Sequence, residues 1–206
     1  MKKLAIFGAG GHGAVIAEIL ESQNLSFEIL IDDNPKNKIL NGITAISRAE
    51  FLNLANAKDF GILLAIGDNL MRQNLYHFFV KQGFCLPFVA HRRAIISKSA
   101  KIASGSVVMP NTVINARASI GMGAIINSGS IIEHDCRIGD FSHIAPSATL
   151  CGNVQVGDCT HIGAGSVIIE GKSIGQHCLI GAGSVVISDI PPHKKVVGNP
   201  AKKELR

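Results

Sequence analysis

Every sixth residue from Ile96 to Val186 is a branched aliphatic: Ile96, Ile102, Val108, Ile114, Ile120, Ile126, Ile132, Ile138, Ile144, Leu150, Val156, Ile162, Ile168, Ile174, Ile180 and Val186. No insertion breaks the register across these sixteen positions. The residue two places before each is small almost throughout, as at Ala94, Ala100, Ser106, Ser142 and Ala148, with Lys172 the clearest exception. Neither the helical period of about 3.6 nor the two-residue alternation of a strand produces this pattern. A chain that turns a corner every six residues does, with three short strands per coil, the aliphatic pointing inward and the small residue at the corner. Gly121, Gly139, Gly157, Gly163, Gly175 and Gly181 are expected to ease those turns. Coils stacked at the strand spacing of about 4.8 Å rise roughly 25 Å over five coils, and such a solenoid has flanks that need covering.

Before about residue 94 the pattern changes. Strand-like and helix-like stretches alternate: KLAIFG, AVIAEILESQ, FEILIDD, a short helix, FGILLAIG, a longer helix and FCLPFVA. That order implies a parallel sheet with helices against it, about half the size of a full doubly wound nucleotide domain. Ser47 to Glu50 has capping-box spacing and should start the second helix, while Gly83 should end the third after Lys81. The chain divides into a Rossmann-like α/β domain over 1–90, an all-β solenoid over 91–190 and a tail over 191–206.

Gly8 to Gly13 read GAGGHG, a G-x-G-x-x-G between the first strand and the first helix. Such a loop brings backbone amides to a phosphate at a helix N-terminus. It also fits an NAD-dependent oxidoreductase, with Asp32 at the spacing of a ribose-binding acid. Half a doubly wound sheet, however, leaves no room for the second mononucleotide, and that reading does not explain the hexads.

A net charge of +5 permits an acidic partner, but the basic residues are dispersed except near the C-terminus, and one Tyr with no Trp offers little to stack on bases. A phosphate-bearing small molecule explains the charge at least as well as nucleic acid. Five cysteines without a C-x-x-C pair fit reduced thiols, and no apolar run approaches the roughly 20 residues of a membrane span. Glycines in MKKLAIFGAGG interrupt what a signal peptide would continue, so a cytoplasmic protein without membrane insertion is expected.

The hexads over 94–190 resemble those of the hexapeptide-repeat acyltransferases, and Gly198 to Lys202 is similar to the G-x-P-A-K tail of the same enzymes. GAGGHG, Asp32-Asp33 and AIGDN (Ala65 to Asn69) narrow the resemblance to the branch of bacterial UDP-4-amino-sugar N-acetyltransferases of the bacillosamine type and sialic acid O-acetyltransferases. The resemblance implies a left-handed parallel β-helix and a homotrimer. It also implies acetyl-CoA in the groove between adjacent helices and direct attack of the acceptor on the thioester, with no acetyl-enzyme and no metal.

Direct transfer needs a base titrating near neutrality. His134, two residues past an inward Ile and so projecting outward, matches the family's base. Asp135 matches the acid that orients it, with Glu133 competing for that role. His143 matches a histidine beside the thioester, and Asn127 a residue that reaches the site from the neighbouring subunit or else makes the turn. Amides around Gly152, Ala164 and Ala182 match positions that hold the pantetheine arm, and Lys202, with Lys194 and Lys195, is a candidate for the CoA phosphates.

In the first domain Gly10, Gly11, His12 and Gly13 are expected near a diphosphate, Asp32 and Asp33 near uridine, and Gly67 in the substrate loop. His161 stacks over His143 but reads as a surface residue, His77 as structural and Cys136 as packing. A zinc carbonic anhydrase on the same β-helix requires three converging histidines, and the 134, 143 and 161 spacing differs from that family's ligands. The expected acceptor is a UDP-linked 4-amino-4,6-dideoxy sugar. Sialic acid and GDP- or dTDP-linked amino sugars are the alternatives.

Overall fold

The computed structural model describes residues 3–204. The N-terminal unit is a sheet of order β3-β4-β2-β1-β5, formed by β1 (Lys3–Phe7), β2 (Ile29–Ile31), β3 (Ile39–Leu40), β4 (Ile43–Ile46) and β5 (Phe60–Leu64). All neighbours are parallel except the β3–β4 hairpin, which the sequence reading did not anticipate. Alternation along β1 sends Leu4 and Ile6 to one side, where α1 (Gly11–Ser22) covers them with Ile16, Ile19 and Leu20. Ala5 and Phe7 face the other side, under Phe51 of α2 (Arg48–Leu52) and Leu75 and Phe79 of α3 (Asn69–Lys81). The Ser47–Glu50 capping box forms as expected, and Gly83 takes the left-handed φ of 79° just past α3.

The stretch FCLPFVA serves both units. Cys85 bridges Gly61 at the edge of the small sheet, and Val89–Ala90 is already the first strand of the solenoid. From there the chain winds as a parallel β-helix in which residues eighteen apart pair, for example Ile114 with Ile132 and Ile132 with Leu150. The aliphatics from Val108 to Val186 point inward into one continuous core, each no more than 4% exposed. The small residues beside them do more than fit: Ser106, Ser142 and Thr160 are fully buried, and their hydroxyls donate to the carbonyls of Gly121, Gly157 and Gly175, each at 2.7 Å. Those bonds satisfy buried hydroxyls that would otherwise cost about 1–3 kcal/mol each.

The corners differ from expectation in one respect. A left-handed φ recurs every six residues from Gly105 to Gly183, at positions including Arg117 (61°), Asp135 (62°) and Asn153 (59°), three residues past the inward aliphatic. Gly121 and its equivalents lie outside that set. They are small because the next coil is too close: a Cβ on Gly121 would sit 2.5 Å from Asp140 Oδ1.

The three faces carry different outward rows. Ile95, Val113, Ile131, Thr149, Val167 and Val185 make an apolar face, while Lys101, Ser119, Arg137, Gln155 and Ser173 make a polar one. The third receives the N-terminal unit: Val107 and Ile125 are buried under α1, and the row continues through His143, His161, Leu179 and Lys195. Among the described residues no helix is long and apolar enough to cross a membrane.

Candidate active site

The loops after β1 and β5 leave the small sheet at its carboxyl edge, where α1 begins, the position at which open α/β sheets bind ligands. Two glycines there are required by the fold. Gly8 has a φ of 113° and its Cβ would lie 2.6 Å from the Ala65 carbonyl oxygen, while a Cβ on Gly13 would lie 2.2 Å from the Gly8 oxygen. Gly10, Gly11 and Gly67 are different, since a Cβ on any of them meets nothing within 4 Å. Their lack of a side chain serves no packing in this chain and leaves backbone open to an approaching ligand. Gly10 caps α1 without a side-chain bond, so the first-turn amides keep their positive field for an anion.

The two aspartates are engaged within the domain. Asp32 Oδ2 accepts from the Ala9 amide at 2.9 Å, and its Oδ1 accepts from the Asn34 amide and Lys38 Nζ, both at 2.8 Å. Burial works to raise its carboxyl, but these donors hold it below its ordinary range. Asp32 thereby pins the glycine loop. Asp33 is held by Arg48, whose Nη2 donates at 2.7 Å.

His12, on the first turn of α1, turns towards the β-helix, and its Nε2 is buried with no hydrogen-bond partner among the described residues. Burial, followed by the nearby Arg72 cation, pushes its imidazole down to about 4. His143 sits beyond it on the third face. Burial, then His161, Arg72 and His12, push His143 down to about 3, so both rings are neutral at neutral pH. Asn127 Oδ1 accepts from the Ser128 amide at 2.8 Å, which turns its Nδ2 towards His143 Nε2 at 3.0 Å. In this arrangement Asn127 donates, His143 Nε2 accepts, and the ring hydrogen is on Nδ1. His161 is half-buried with its ring edge-on to His143 at 4.8 Å, which corrects its reading as a surface residue. Fully buried Arg72 of α3, absent from the sequence reading, joins the cluster and donates to four carbonyls, of Gly123, Ile66, Gly67 and Phe141.

His134 lies on the corner between the apolar and polar faces, its side chain 56% exposed. Asp135 Oδ2 is 2.8 Å from its Nδ1, whereas Glu133 reaches only the His134 backbone amide at 3.3 Å. Arg117, eighteen residues earlier and one coil below, grips Asp135 through Nε at 2.7 Å and Nη2 at 2.8 Å. Arg117, followed by His134, holds the Asp135 carboxyl well below the usual carboxylate range. Gly152, one coil above, leaves space for the ring: a Cβ there would lie 2.7 Å from His134 Cε1 and 2.8 Å from Nε2. Cys136 is buried, donates to the Cys151 carbonyl at 3.2 Å and is pushed by burial up to about 11, so it remains a thiol and packs.

The single chain does not bring all these groups together. In the triangular coil the His134 corner stands opposite the face that bears Asn127 and His143. Gly152 shares the corner of His134, Ala164 and Ala182 are exposed on the corner between the third and apolar faces, and Lys202 is exposed in the tail. Among the described residues no cluster of three or more His, Cys, Asp or Glu could hold a metal ion.

Residues 3–79 match the family described as PglD N-terminal domain, and 117–152 and 135–170 match bacterial transferase hexapeptide repeats. A curated relative, the UDP-N-acetylbacillosamine N-acetyltransferase of Bacillus subtilis, is 37% identical over 114 residues, 53% of this chain. The match spans about half the length of that relative, 52%. Two solved structures are similar over nearly the whole chain. PerB from Caulobacter crescentus, in complex with CoA and GDP-perosamine, has a TM-score of 0.92 at 34% identity, covering 98% of this chain and 97% of that one. The acetyltransferase domain of PglB from Neisseria gonorrhoeae, in complex with acetyl coenzyme A, has a TM-score of 0.90 at 36% identity, covering 98% of each chain.

Proposed function

Since this chain belongs to the hexapeptide-repeat acyltransferases that carry a PglD-type N-terminal domain, we propose that it moves the acetyl group of acetyl-CoA to the 4-amino group of a UDP-linked 4-amino-4,6-dideoxy sugar. The observation that carries the mechanism is the His134–Asp135 pair. With Asp135 on Nδ1, the ring presents Nε2 as the base. His134 takes a proton from the amine as its nitrogen attacks the thioester carbonyl, and Asp135 stabilises the imidazolium that forms. Collapse of the tetrahedral intermediate expels the CoA thiolate, which is then protonated, and the product is the amide.

We assign the nucleotide diphosphate to the amides at Gly10 to Gly13, with His12 and Gly67 beside the sugar and the Asp32–Asp33 loop towards the base. The buried, unpartnered Nε2 of His12 supports this placement, because a bound hydroxyl or phosphate oxygen would satisfy it. His143, with Asn127, is assigned to the acetyl thioester, and amides at Gly152, Ala164 and Ala182 with Lys202 to the rest of CoA.

A homotrimer completes the site. Among the described residues nothing covers the apolar face, where Ile95 is 67% exposed, and the same face of two further copies about a three-fold axis supplies a cover. Such packing lets the His134 corner of one subunit serve the His143 face of the next. Thiol release from acetyl-CoA is the test, run against UDP-, dTDP- and GDP-linked 4-amino sugars and free sialic acid. The reading expects the highest kcat/KM with the UDP sugar; a preference of tenfold or more for sialic acid overturns it.

A further inference from the structure

We infer that Arg117 is a positioning residue for the base: by clamping Asp135 across two coils it fixes the His134 ring with its hydrogen on Nδ1 and the Nε2 lone pair presented to the acceptor. The inference rests on the assignment of His134 as the base.

The β-helix register creates the clamp. Ser119 pairs with Arg137 and Ile120 with Ile138, which places the corner containing Arg117 directly under the one containing Asp135. Both residues take the same left-handed corner conformation, with φ of 61° and 62°. Arg117 is itself held from below, its backbone amide donating to Ser99 Oγ at 3.1 Å, while the Asp135 amide donates to the Ala116 carbonyl at 3.0 Å. The fork uses both carboxylate oxygens: Nε binds Oδ1, while Nη2 and His134 Nδ1 share Oδ2. A two-point clamp of this kind fixes the plane of the carboxylate, which a single point charge does not.

A carboxylate on an exposed corner, 36% accessible here, rotates freely if it has only one partner. The neighbouring carboxylates do not replace the clamp. Glu133 binds the backbone amide of His134, and Glu170, one coil above Gly152, bears on the Cys151 thiol together with Glu133. Both are carboxylates, which lack the paired N–H donors of a guanidinium, so neither can grip Asp135 as Arg117 does. Gly152, one coil above, meets the ring with backbone alone and has no side chain to orient it. The orientation of the base therefore depends on Arg117 through Asp135.

Two measurements test this on the full-length protein. Nitrogen-15 shifts of the His134 ring, identified by its loss in His134→Asn, report the tautomer without any substrate. Wild type should show the Nδ1–H form, and Arg117→Met a mixture of both tautomers. Initial rates of thiol release should fall about tenfold in kcat for Arg117→Met, with KM for acetyl-CoA within twofold, and Arg117→Lys should recover less than half of the loss because it lacks the fork. An unchanged ring signature in a folded Arg117→Met overturns the inference whatever the rates do. If the signature changes while His134→Asn leaves thiol release intact, the clamp stands and the assignment of His134 as the base fails.

Discussion

Arg72 Nη2 donates to the carbonyl of Phe141 at 2.7 Å, and this bond ties α3 of the small domain to a corner of the β-helix. Burial pulls the guanidinium down to about 10, so it remains a cation at neutral pH with carbonyls rather than carboxylates as its main partners. Arg72→Met should strand those buried carbonyls and cost about 2–4 kcal/mol, read as a lower urea midpoint with an unchanged slope.

His12 and His143 make the fold sensitive to acid. Their folded values, about 4 and about 3, lie below the ordinary histidine value of 6.5, so the unfolded chain binds protons first as pH falls. Stability is therefore full above that value and is lost on the way down towards the folded values, by roughly 1.4 kcal/mol per group at about pH 5.5. Urea midpoints measured across this window should fall, and His143→Asn should flatten the curve.

Gly152→Ala places a methyl group against the ring of His134. The side chain is exposed and can swing away, so the melting temperature should hold within about 2 °C while kcat falls at least tenfold. Thermal scans and thiol-release rates check the two halves separately.

His143→Ala removes the side chain that meets Asn127 on the third face. The expected outcome is a rise of about tenfold in KM for acetyl-CoA, equivalent to about 1.4 kcal/mol. An unchanged KM would remove His143 from the acetyl site.

The β-helix was legible because its rule is local: every coil repeats the same inward aliphatic, so Ile114, Ile132 and Leu150 announce their own stacking. The capping box at Ser47 and the stop at Gly83 were legible for the same reason. The turn residues were misplaced, because Gly121 and its equivalents answer to the closeness of the next coil, which no single coil displays. His134 and Asp135 could be found as neighbours in sequence, but Arg117 and Arg72 could not be found that way. Arg117 is visible only to a count of eighteen residues back from Asp135, and Arg72 only once α3 is docked on the corner at Phe141. The β3–β4 hairpin rests on strands of two and four residues, too short to show a period.

Deprotonation of an amine acceptor by His134 is tested by comparing a UDP-linked 4-amino sugar with its 4-hydroxyl counterpart in wild type and His134→Ala. Thiol release with the amine should exceed that with the hydroxyl at least a hundredfold, yield the N-acetyl sugar by mass, and fall at least a hundredfold in the variant. Equal release with the two acceptors, or release within threefold of wild type in His134→Ala, would contradict the account.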